Sequence, residues 1–116
     1  MIVLHSASVN ILNRLRRGSV PRRGELKPVD AEEHRIRSNA KYYTVVGFTP
    51  GRGHKIYQTF EKLVFAKAYC AELLRNKTLC LRATMIYAVD KYDSNALVGT
   101  MGLDEIWKEA KVQRYV

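Results

Sequence analysis

At 116 residues the chain has room for one domain with one hydrophobic core, and a composition 47% hydrophobic and 27% charged excludes a chain disordered throughout. Its apolar runs all fall short of the ~18 residues that a bilayer-crossing helix requires, so no membrane span is expected. Twenty Lys and Arg against eleven Asp and Glu leave a net charge of +9, which suits a polyanionic partner such as RNA, DNA or an anionic membrane surface, or serves solubility alone.

Val9, Ile11, Leu12 and Leu15 predict a short amphipathic helix, with Ser6 or Ser8 as N-cap and Gly18 as the stop. Its other face carries Arg14, Arg16 and Arg17. Residues 1–24 contain five Arg, three Ser and no acid, a composition shared with mitochondrial import sequences. Residues 18–28, with two Pro and two Gly, predict an extended linker that adds Arg22, Arg23 and Lys27. Asp30 and Glu33 have capping-box spacing and predict a brief helix over 31–37. Residues 1–40 thus read as a basic N-terminal arm with a short helix, and 41–116 as a single α+β domain.

The domain opens with β-formers at Tyr42 to Val46, a turn cluster TPGRG, and an extended stretch from Lys55 to Gln58, which together predict a β-hairpin. Thr59 is placed to cap a helix from Phe60 to about Asn76, whose core face gathers Phe60, Leu63, Val64, Cys70, Ala71, Leu73 and Leu74. Lys67 falls within that stripe and is expected to lay its stem on the core with its amine in water. Phe65 and Tyr69 sit opposite, either covered by the N-terminal helix or open to a partner. Leu81 to Asp90 predicts a strand, KYDSN a turn and Ala96 to Met101 a further strand. Leu103, Ile106, Trp107 and Ala110 then recur at helical spacing, with Asp104 and Lys108 as an i,i+4 ion pair.

The spacing of Phe60, Leu63 and Val64 repeats 43 residues later in Leu103, Ile106 and Trp107, so the domain reads as a degenerate ββα repeat. The expected architecture is α+β, ββαββα, with a four-stranded antiparallel sheet and two helices on one face. The opposite face is left to water or to a partner.

Chemistry-bearing patterns are sparse. Cys70 and Cys80 are too few for a disulfide scaffold, which implies reduced thiols in an intracellular compartment, cytoplasmic or mitochondrial. His5, His34 and His54 are scattered singly, so neither a metal site nor a cofactor is expected. GFTPGRGHK lacks the hydroxyl residue after Lys55 that a phosphate-binding loop needs, and it lies between strands. Nucleophile, base and paired-carboxylate arrangements do not emerge from order or spacing, so an enzyme is not expected. Tyr42, Tyr43, Tyr57 and Tyr87 lie on predicted strands, where they either pack across strands or stack bases.

The functional expectation is therefore a non-enzymatic nucleic-acid-binding module, fitting a subunit of a ribonucleoprotein or viral assembly. Its phosphate contacts fall on Arg14, Arg16, Arg17, Arg22, Arg23, Lys27, Arg52, His54 and Lys55. The alternative is a small protein-interaction module, an inhibitor or an assembly subunit, whose arm threads across a partner and whose anchors are Leu12, Leu15, Phe65 and Tyr69.

Overall fold

The computed structural model describes residues 10–12, 15 and 27–110. Residues 10–12 and 15, inside the expected N-terminal helix, are helical. Next come helix α1 (Lys27–Ser38), strands β1 (Tyr42–Thr49) and β2 (Gly53–Phe60), and helix α2 (Leu63–Arg75). A 3-10 turn (Lys77–Leu79) leads to strands β3 (Ala83–Val89), β4 (Asn95–Gly102) and β5 (Trp107–Glu109). The fold is α+β, with one antiparallel sheet in the order β2-β1-β3-β4-β5. Among the described residues no helix is long and apolar enough to cross a membrane.

Alternation along a strand sends successive side chains to opposite faces. On one face, Val45, Ile86, Leu81 and Met101 meet Ala66, Cys70, Leu73 and Leu74 of α2 in a core cluster. On the other, Val46, Tyr87 and Val89 surround Ile11, which is fully buried, with Leu15, Tyr42, Ile56, Met85 and Leu97 at the margin. Helix α1 docks on this second face against β4 and β3. It buries Ile36, and Nη1 of Arg37 donates to the Leu97 carbonyl at 3.1 Å. The face expected to remain open is therefore covered, and the helices lie on both sides of the sheet.

Helix α1 begins three residues before Asp30, so the expected cap position lies inside it. Helix α2 begins later than its apolar spacing suggested. Phe60 pairs with Tyr43 and Thr59 with Thr44, so both belong to β2 rather than to a helix start. Lys62 occupies the N-cap without a side-chain hydrogen bond. The resulting rotation brings Ala66 into the core and leaves Val64 64% exposed.

The second helix of the expected repeat is absent from residues 103–110, where β5 makes a fifth strand. The Glu105 N–H donates to the Gly102 carbonyl at 2.9 Å, that of Ile106 to Oδ1 of Asp104 at 3.0 Å, and Glu105 takes a left-handed φ of 59°. This reverse turn sends residues 107–109 back along the edge of β4. Leu103 and Ile106 stay exposed, and Asp104 and Lys108 do not form the expected helical pair. Trp107 instead lies over Gly99, where an added Cβ would fall 2.6 Å from the Lys108 carbonyl and closer still to the indole. Lys67 extends its amine over the same indole, 4.7 Å from the ring centroid.

Two measurements check this packing. Ile11→Ala is expected to lower unfolding free energy by about 2–4 kcal/mol in urea denaturation, and an unchanged midpoint would remove Ile11 from the core. Gly99→Val should destabilise by about 1–3 kcal/mol through overpacking and shift Trp107 emission to the red as the indole is displaced.

Candidate nucleic-acid interface

The two ends of the sheet differ in charge. At one end lies the β3–β4 turn, organised by the buried Asp90. Its Oδ1 accepts from the N–H groups of Tyr92 at 2.9 Å and Ser94 at 3.0 Å, and its Oδ2 accepts from Nη1 of Arg35 at 3.3 Å. Two open clefts here have volumes of about 470 and 530 Å³ and linings of mixed charge, pairing Asp90 with Arg35 and Lys91 in one, and Glu61 and Asp93 with Lys41 in the other.

The opposite end is basic. The β1–β2 hairpin carries exposed Arg52 in its turn and exposed Lys55 on β2, with Gly51 and Gly53 each at φ of 82°. The C-terminal end of α2 and the 3-10 turn bring Lys77 beside it, because Oγ1 of Thr49 donates to the Leu79 carbonyl at 3.5 Å. Arg82 joins them, its N–H donating to the Phe48 carbonyl at 2.8 Å. No acid among the described residues lies within salt-bridge distance of Arg52, Lys55, Lys77 or Arg82. Arg75, at the same end, is paired with Glu105 at 2.7 Å.

His54 also sits on this hairpin, half-buried, its ring centroid 4.9 Å from that of Phe48 with the planes at 40°. Burial lowers its pKa below the ordinary imidazole value, so at neutral pH it adds a planar ring to the site rather than a charge. On the far face of the hairpin the Lys55 amine lies 5.3 Å from the centre of the Tyr57 ring.

Of the expected phosphate contacts, Arg14, Arg16, Arg17, Arg22 and Arg23 lie outside the described residues, and Lys27 opens α1. Arg52, His54 and Lys55 share the β1–β2 hairpin, with His54 and Lys55 on its opposite faces. Lys77 and Arg82 were missed, because nothing in their local sequence distinguishes them from solvated cations. They reach the hairpin only through the return of the chain from β2 over α2 to β3.

The alternative anchors do not share a surface. Leu15 packs with Ile11 on the α1 face and Leu12 is half-buried, whereas Phe65 (57% exposed) and Tyr69 ride on α2 across the sheet. Tyr69 leans on Phe60 at 5.1 Å between centroids, and burial, then Glu72, raises its pKa. The strand tyrosines pack: Tyr87 is buried, and Tyr42, Tyr43 and Tyr57 border the two cores. Cys70 and Cys80 are free thiols, and burial pushes the Cys70 thiol up in pKa, which suppresses its thiolate. Among the described residues no group of three or more His, Cys, Asp or Glu side chains is placed to hold a metal ion. No protein-family model, curated protein or solved structure matches the chain.

Because folded His54 binds its proton more weakly than the unfolded chain, its contribution to stability is present above about pH 6.5 and is lost as pH falls toward its lowered folded value. The imidazole resonances of His54 should therefore titrate with a midpoint below about 6.5, and His54→Gln should shrink the drop in urea midpoint between about pH 7 and pH 5. A midpoint at or above the ordinary value contradicts this placement.

Proposed function

We propose that the protein is a non-enzymatic nucleic-acid-binding module that grips phosphates through the basic end of its sheet. The observation that carries this reading is the convergence of Arg52, Lys55, Lys77 and Arg82, exposed and unpaired with any described acid, from three separate stretches of chain. Exposed cations crowded together repel one another, and a polyanion relieves that repulsion while releasing its counterions. Arg14, Arg16, Arg17, Arg22 and Arg23 extend the cationic complement toward the N-terminus. Among the described residues His54 lies against the Phe48 ring, and burial raises the pKa of the Cys70 thiol, surroundings that suit a binding role.

A second reading, a protein-interaction module, is favoured by Val64 and Phe65, which are exposed on the outer side of α2. Fluorescence anisotropy with a labelled oligonucleotide of about 20 nucleotides, titrated across salt concentrations, distinguishes the two. Contact with about six phosphates gives a slope of log affinity against log salt of roughly −5. Replacing Arg52, Lys55, Lys77 and Arg82 together by Ala should flatten it by roughly 3, and replacing Arg16, Arg17, Arg22 and Arg23 should flatten it independently. A salt-independent affinity, or none, gives the preference to the protein-interaction reading.

A further inference from the structure

Resting on the phosphate-binding reading above, the register of the sheet adds a feature that charge alone does not require. Phe48 pairs with His54 on one side and Ala83 on the other, and Ala83 pairs with Gly102. These four residues form a row across β2, β1, β3 and β4 on the face that also carries Val46 and Ile56. The next row inward, Ile56, Val46, Met85 and Thr100, lies at or beside the core cluster. The terminal row is different in shape: two rings, then a methyl group, then no side chain at all. All four of its residues retain solvent exposure.

Among the described residues a row of this kind is a step: the tilted Phe48–His54 pair stands at one side of the low Ala83–Gly102 floor, a shape against which a flat group can stack on the Phe48 ring. Arg52, in the turn next to His54, is exposed beside the step and pairs with no acid among the described residues. Unpaired bases expose the π-faces that such a step can stack, whereas bases in a duplex are already stacked on one another. We propose that the row His54, Phe48, Ala83 and Gly102 is a stacking shelf for unpaired bases, and that the ligand is single-stranded rather than duplex nucleic acid.

The test uses the full chain and a fluorescein-labelled oligothymidylate and oligouridylate, each against a mixed-sequence duplex of equal length. The single strands are expected to bind roughly tenfold tighter than the duplex at equal salt, with the two sugars read as separate arms. Phe48→Leu keeps an apolar side chain beside Ala83 but removes the ring, and should erase most of that preference while leaving duplex affinity unchanged.

Gly102→Val attacks the same shelf by filling it. Among the described residues an added Cβ there meets Oδ1 of Asp104 at 3.5 Å, an ordinary contact, so the first side-chain carbon fits while the floor is raised. Circular dichroism and the urea midpoint verify folding of both variants. Equal, salt-sensitive binding of single strands and duplex, or a preference unmoved by both variants, overturns the shelf and leaves the phosphate reading standing. Absence of binding to any oligonucleotide overturns both.

Discussion

Val45 and Val46 are neighbours in β1, point to opposite faces of the sheet, and are both fully buried. A strand with that property cannot sit in a sheet open to water on one side. Each fully buried aliphatic side chain is worth about 1.5–3 kcal/mol, so exposing either one would forfeit a sizeable fraction of a small domain's stability. β3 imposes the same demand through Ile86 and Tyr87. Helix α2 meets it on one face. On the other, Ile11, Leu15 and α1 meet it, which makes residues from the basic N-terminal region part of the core rather than an accessory to it.

With both faces covered, the sheet's remaining opportunities for contact are its edges and ends. The long edge is β2, where exposed Lys55 discourages pairing with another strand. The ends are unequal because of the connection from β2 through α2 to β3. That path places the C-terminal end of α2, the 3-10 turn and the start of β3 beside the tip of the first hairpin. The carbonyl end of a helix favours cations, which accords with Arg75 and Lys77 at this position. At the far end Asp90 draws Arg35 into a turn-stabilising network, so the positive charge there is spent internally. The polarity of the molecule is thus a product of topology as much as of composition.

The β1–β2 hairpin, the α2 helix and the β3–β4 hairpin were legible in the chain because each is announced by residues close in sequence: β-formers around a Pro-Gly turn, a 3.6-residue apolar period, and KYDSN between two strands. Leu103, Ile106 and Trp107 misled because a three-residue spacing fits both a helix and a turn followed by an edge strand. The choice fell to Asp104, whose carboxylate accepts from the Ile106 N–H, and to Gly99, whose missing side chain makes room for Trp107. Of the candidate site, Arg52, His54 and Lys55 could be found together because one short hairpin segment carries them.

By itself the sequence determined the basic character of the protein, its α+β class, and the hairpin that presents Arg52 and Lys55, since these follow from composition and from preferences acting over a few residues. Tertiary structure alone decided that both sheet faces are covered, that residues 107–109 form a fifth strand, that Lys77 and Arg82 join the hairpin cations, and that Phe48, His54, Ala83 and Gly102 share one row. Those outcomes depend on strand register and helix docking between residues tens of positions apart. Such pairings are selected by burial and steric fit across the whole fold, and local periodicity carries no record of them.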